Sequence, residues 1–117
     1  MERVLGIGGY FLRAANPEAL GAWYRDCLGL DLGEHGLWNP QAGPTVIAQF
    51  PVDTDYFGSP TQQVMINFRV SDLDAMLAQL RAKGADVAGD AQEYEGIGRF
   101  GWVTDPEGNR IELWQPE

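Results

Sequence analysis

Few side chains in this 117-residue chain are equipped for chemistry, and they are scattered. One carboxylate stands apart. Glu112 lies in Arg110-Ile111-Glu112-Leu113-Trp114, among large apolar residues that follow the turn-rich Asp105-Pro106-Glu107-Gly108-Asn109. Successive strand residues point to opposite faces, so Glu112 is either a solvated outward residue or an inward ligand or acid/base. Asp53 and Asp55 have the spacing of cation ligands, but no glycine and distal glutamate follow as in a calcium loop, and they read as solvated loop carboxylates. The single histidine, His35, sits beside Gly36 in a turn and reads as a surface residue. The single cysteine, Cys27, falls on an apolar helix stripe and reads as a small core residue. One cysteine permits no intrachain disulfide, which points to a reducing, cytoplasmic setting.

Composition narrows the partners. The net charge is −9 and no Lys/Arg cluster occurs, so phosphate backbones and anionic membranes would be repelled; neither nucleic acid nor membrane is an expected partner. No apolar run approaches a membrane span or a signal peptide. The hydrophobic and charged fractions, 44% and 21%, are those of an ordinary globular domain, and the length is that of one domain, residues 1–117.

The elements that must position Glu112 can be read in order. Asp105 to Asn109 reads as the turn of a hairpin, with Phe100, Trp102 and Thr104 alternating before it and Ile111 to Trp114 after it. Upstream, Ile7 to Arg13, Thr45 to Phe50 and Val64 to Val70 read as strands, with shorter ones at Leu30–Leu32, Leu37–Trp38 and Ala85–Ala88. Asn16-Pro17-Glu18 starts a helix striped by Leu20, Trp23, Tyr24, Cys27 and Leu28, and Gly29 ends it. Ser71 or Asp72 caps a second helix, with Asp74 placed for a capping box, Leu73, Met76, Leu77 and Leu80 as its stripe, and Lys83-Gly84 at its end. This order repeats. Phe11 to Asn16 aligns with Asn67 to Asp72 at an offset of 56 (69 − 13), giving two βαβββ units, about 4–51 and 62–117, joined by a linker at about 52–61. Each unit alone leaves a sheet face uncovered, so the two pair with each other or across a homodimer.

A tandem βαβββ chain with Trp23-Tyr24-Arg25-Asp26-Cys27-Leu28-Gly29-Leu30 and Asp105-Pro106-Glu107-Gly108-Asn109-Arg110-Ile111-Glu112-Leu113 resembles the vicinal oxygen chelate superfamily of glyoxalase I, extradiol dioxygenases, fosfomycin-resistance enzymes and bleomycin-binding proteins. The resemblance implies an α+β fold in which two βαβββ modules form a cup-shaped, mostly antiparallel sheet. In metal-dependent members, His, Gln and Glu from four strands hold a divalent ion that acts as a Lewis acid. Carried onto this sequence, those positions fall on Gly9, near Gln49, on Met65 and on Glu112. Gly9 has no ligand atom and the Met65 thioether suits hard ions poorly, so no metal site of the usual kind, and no cofactor, is expected.

The resemblance also implies a cup lined by inward strand residues. Candidate ligand-binding residues are Phe11, Arg13, Trp38, Gln49, Phe50, Met65, Asn67, Arg69, Trp102 and Trp114, with Phe68, Tyr10 and Tyr94 as further wall candidates and Glu112 as the candidate catalytic group. Aromatic walls suit a flat or apolar small molecule. Two functions therefore stand open at this stage. One is a binding protein for such a molecule, without the usual metal; the other is a glyoxalase-like lyase or isomerase, or a dioxygenase, that uses Glu112 with a divalent metal.

Overall fold

The computed structural model describes residues 1–117. In chain order the elements are α1 (Pro17–Leu28), a 3-10 turn (Glu34–Gly36), β1 (Asn67–Arg69), α2 (Leu73–Ala82), β2 (Asp86–Val87), β3 (Gln92–Tyr94), β4 (Gly98–Thr104) and β5 (Arg110–Pro116). The α+β class read from the sequence stands. Both helix starts use a side chain to satisfy a free backbone N–H: Asn16 Oδ1 accepts from Ala19 N at 3.1 Å, and Asp72 Oδ1 from Ala75 N at 3.0 Å. These caps are 56 residues apart, the offset of the repeat. Gly29 ends α1 at φ 74°, a left-handed conformation that a side chain resists. The expected capping box does not form, because Asp72 rather than Ser71 is the cap and Asp74 turns instead to Arg99, at 2.8 Å.

The sheet is open and runs β1-β5-β4-β2, with β3 also pairing along β4. Only β1 and β5 are parallel; β5, β4, β3 and β2 are antiparallel neighbours. Alternation along β4 and β5 sorts the side chains cleanly. Val103, Ile111 and Leu113 face the helices and are 1% exposed or less, packed in one core with Leu20, Tyr24, Leu28, Leu73, Leu77 and Leu80. Burying such side chains is the main driving force of folding. Gly101 belongs to this face: a Cβ there would lie 3.1 Å from Leu77 Cδ2, so its lack of a side chain lets α2 approach the sheet. The opposite face carries Phe100, Trp102, Arg110, Glu112 and Trp114, with Asn67 and Arg69 in register beside Glu112 and Trp114.

The second repeat is thus a complete set of paired strands around one helix, and the first is not. Ile7–Arg13, Leu30–Leu32, Leu37–Trp38 and Thr45–Phe50 form no ladder, and Val64–Val70 pairs as strand only over Asn67–Arg69. The physical reason is the supply of partners. An extended segment becomes a strand when another edge accepts its N–H and C=O groups, and nothing within the chain offers one to these segments. Ile7, Phe11, Val46, Ile47 and Val64 are exposed accordingly. No helix is long and apolar enough to cross a membrane.

Candidate functional site

The hairpin that carries Glu112 is held from below by one buried carboxylate. Asp105, 4% exposed, accepts four hydrogen bonds: Oδ1 from the Glu107 and Asn109 amides at 2.9 and 3.0 Å, and Oδ2 from Asn109 Nδ2 and the Tyr24 hydroxyl, both at 2.8 Å. Desolvation of Tyr24, together with the neighbouring Asp105 carboxylate, holds its hydroxyl protonated far above the usual tyrosine range. Glu107 reaches the other way, accepting from the Ala15 and Asn16 amides at the entrance to α1 at 2.9 and 3.1 Å. The two motifs that stand out in the sequence, one on α1 and one in the turn, are therefore two ends of the same contact.

With its turn locked, β5 presents Glu112 upward from the open face. Glu112 is 7% exposed and its carboxylate is held by three uncharged donors. Oε1 accepts from Asn67 Nδ2 at 2.7 Å, while Oε2 accepts from Trp102 Nε1 at 3.0 Å and from the Tyr56 hydroxyl. Burial and the Glu112 carboxylate push the Tyr56 hydroxyl above its ordinary range, so it stays a donor. Aromatic rings surround the group. Tyr56 stands edge-on to Trp102 (6.1 Å) and stacks on Phe50 (5.3 Å), which meets Phe57 edge-on (5.1 Å). Along the same face Phe100 stacks on Trp114 at 6.0 Å with nearly parallel planes, and Tyr94 closes on Phe100 at 5.7 Å. The result is a polar point with an aromatic border, a surface suited to a flat molecule.

The candidates named from the sequence divide on this map. Asn67, Trp102 and Glu112 are hydrogen-bonded together, Trp114 lies on the same face, and Phe50 joins through Tyr56. Arg69 is on that face too, donating to the Gln41 carbonyl at 2.9 Å. Trp38 is not: it packs on Phe68, whose register partner Leu113 faces the helices. Phe11 is 98% exposed, Arg13 and Gln49 are exposed, and Met65 is half-buried; none has a polar contact with Glu112. His35 lies exposed in the 3-10 turn and Cys27 is buried in the core, as read. Sequence reasoning missed Tyr56, Phe57, Phe100 and Arg110. The signal for Tyr56 was weak but present: adjacent aromatics in a Pro- and Gly-rich loop rarely stay in water.

The donor set does not fit a divalent ion. No three His, Cys, Asp or Glu side chains converge anywhere in the chain. Of the four positions that the superfamily uses, Gly9 offers no atom, Met65 a thioether, and Gln49 an exposed amide with no hydrogen bond to Glu112. Glu112 remains, and its Oε2 already accepts two hydrogen bonds, the full capacity of that oxygen. One carboxylate with neutral donors around it lacks the converging oxygen and nitrogen ligands such an ion requires.

Comparison with known proteins places this geometry. The antibiotic-binding protein TnmS3 from Streptomyces sp. CB03234 is similar in structure, with a TM-score of 0.68 and 25% identity over 100% of both chains. A glyoxalase/bleomycin resistance protein from the same Streptomyces is 27% identical, with a TM-score of 0.57, over 89% of this chain and 95% of that one. Lactoylglutathione lyase from Agrobacterium tumefaciens shares the fold at 22% identity and a TM-score of 0.61, over 97% and 96% of the two chains. A search of curated protein sequences finds no match. Residues 10–114 match the glyoxalase-like domain, a span that includes the hairpin that carries Glu112. The chain belongs to the glyoxalase-like domain family, within the glyoxalase/bleomycin resistance/dioxygenase superfamily.

Proposed function

We propose that this protein binds a small aromatic or apolar molecule on the sheet face around Glu112, as a homodimer and with no resident metal. The observation that carries the reading is the state of Glu112: a buried carboxylate held by Asn67, Trp102 and Tyr56 inside an aromatic border. Groups so fixed give orientation and specificity to a ligand whose binding energy comes from the surrounding rings. Similarity to an antibiotic-binding protein over the whole chain supports the same reading. In it, Trp102, Trp114, Phe100, Phe50 and Tyr56 are walls, while Glu112 and Asn67 accept or donate to a polar edge of the ligand.

The homodimer reading rests on what the single chain leaves undone. Only 16 of 117 residues are buried, and the first-repeat segments carrying Ile7, Tyr10, Phe11, Val46 and Ile47 are exposed without strand partners. A second copy supplies the missing sheet edge, bringing Phe11, Arg13, Gln49 and Met65 toward a shared cup. The lone buried Cys27 accords with a cytoplasmic setting.

The test is direct. Planar aromatic compounds are titrated against intrinsic tryptophan fluorescence, and metal content is measured on protein purified without chelator. Saturable quenching that is weakened by Glu112→Gln, with no bound metal, supports binding. Stoichiometric Mn, Fe, Ni or Zn that disappears in Glu112→Ala would overturn the metal-free reading and make a metal-dependent lyase, isomerase or dioxygenase the leading alternative.

A further inference from the structure

Trp102 and Glu112 stand on the sheet face turned away from the helices, yet each is only 7% exposed. Phe100 and Trp114, on the same face, are half-buried. What covers the first pair is a loop. The Tyr56 hydroxyl donates to Glu112 Oε2, and the Tyr56 ring stands edge-on to Trp102 at 6.1 Å. Two residues on, Gly58 lies against Arg110 Cδ, and the Arg110 guanidinium lies over the Trp102 ring.

Residues 51–62 are built to move as one piece. Their backbone hydrogen bonds stay within the loop: Thr54 N to Pro51 O and Gly58 N to Asp55 O, both at 3.0 Å, and Gln62 N to Ser59 O at 3.1 Å. The Tyr56 and Thr61 amides add bonds to the Thr54 and Ser59 hydroxyls. Tyr56 and Phe57 both pack on Phe50, next to the loop's first residue, so the ring cluster travels with it. Hydrogen bonds from the loop to the sheet come from two side chains. Gln62 accepts from Arg110 N and donates to the Arg110 carbonyl, both at 2.8 Å, while Tyr56 makes its one bond to Glu112. Gln62 is the fixed end and Tyr56 the releasable one. The place against Glu112 and Trp102 is thus filled by a phenol that the chain itself supplies.

We infer, resting on the ligand site proposed around Glu112, that Tyr56 holds the ligand's own place: loop 51–62 is a lid, and the ligand is a phenol whose hydroxyl replaces that of Tyr56 on Glu112 Oε2. The other acceptor site of that oxygen is taken by Trp102 Nε1 at 3.0 Å. An aromatic without a hydroxyl would leave the buried oxygen one partner short, which is unfavourable. With the lid open, the Tyr56 ring passes from cover to side wall. A ligand that binds only the open form has its apparent affinity reduced by the fraction that is open. Weakening the latch therefore tightens binding, the opposite of what damage to a fixed wall does.

The experiment titrates 4-methylphenol and its methyl ether 4-methylanisole, which has no donor, into the full-length wild-type protein and Tyr56→Phe, with the Trp102 indole N–H followed by NMR. Wild type is expected to bind 4-methylphenol about tenfold more tightly than 4-methylanisole, the discrimination of one hydrogen bond to a charged acceptor. Tyr56→Phe keeps the ring and removes the latch, and is expected to bind 4-methylphenol about tenfold more tightly than wild type. Chymotrypsin cleavage of wild type after Tyr56 or Phe57 is expected to quicken when 4-methylphenol is bound. Unchanged or weaker binding by Tyr56→Phe, equal binding of the two probes, or cleavage slowed by 4-methylphenol would each overturn the lid. If planar aromatics still quench wild-type tryptophan fluorescence in that event, the lid falls and the Glu112 site stands; if no aromatic binds, both fall. The two measurements on wild type decide the matter even if Tyr56→Phe fails to fold.

Discussion

Replacing Glu112 by Gln isolates the charge of the carboxylate while keeping its shape, and the structure allows the outcome to be worked out. In Glu112→Gln the new amide oxygen, in the place of Oε2, still accepts from Trp102 Nε1 and the Tyr56 hydroxyl. The new NH2 then confronts Asn67 Nδ2, donor against donor, at the position now bridged at 2.7 Å. Asn67 relieves this by turning its amide over to present Oδ1, so no donor is orphaned. What is lost is charge assistance, roughly 1 kcal/mol for each of three bonds at full burial. Asn67 is exposed and Tyr56 only half-buried, which reduces the sum to about 2 kcal/mol. For a chain of this length that is a fall in Tm of about 8 °C. Glu112→Ala strands the Trp102 and Tyr56 donors as well and should cost about 4 kcal/mol. Thermal and denaturant unfolding measure both variants, and Tyr56→Phe in each background gives the coupling between the partners. Tyr56→Phe should cost about 1 kcal/mol less in the Glu112→Gln background than in the wild-type chain. If Glu112→Gln melts within about 1 °C of wild type and the coupling is zero, the trio is not held as described. A loss as large as that of Glu112→Ala would show that Asn67 cannot turn.

Further expectations concern the supports of the site. Tyr24→Phe removes a buried donor from Asp105 and should lower stability by about 2 kcal/mol in urea unfolding, with the fold retained. Because Tyr24 is held protonated beyond its usual range, its contribution is full below the unfolded ionisation near pH 10 and falls as pH rises above it. Unfolding measured from pH 9 to 11 should therefore show a decline that Tyr24→Phe makes shallower; an identical pH profile in the variant would refute the assignment. Gly101→Ala pushes a Cβ to 3.1 Å from Leu77 and should cost about 1–2 kcal/mol in urea unfolding. Sedimentation equilibrium should find a dimer, and Ile47→Asp combined with Phe11→Asp should shift it to monomer; a wild-type monomer at high concentration would remove the homodimer from the proposal.

The aromatic setting of Glu112 was only partly legible. Trp102 could be placed opposite it because a five-residue turn sets the register of a hairpin, and register places side chains on faces. Asn67 was among the candidates, but its place beside Glu112 comes from the parallel pairing of β1 with β5. Tyr56 could not be placed, since where a loop lands depends on contacts distant in sequence: its partner is 56 residues away. The same holds for Gln62, whose side chain stands in for a backbone against Arg110, and for Trp38, which lies on Phe68 rather than in the cup.

By itself the sequence determined whatever depends on neighbours in the chain: two capped amphipathic helices, the Asp105–Asn109 turn, the α+β class and the absence of a usual metal ligand set at Gly9 and Met65. Only the tertiary structure decided which extended segments become strands. Local propensity prepares Ile7–Arg13 and Thr45–Phe50 for pairing, but a ladder needs a second edge to take up its hydrogen bonds, and that edge comes from elsewhere in space. It also decided the state of the functional groups. Glu112 holds three donors because of what folds against it, which no spacing along the chain records.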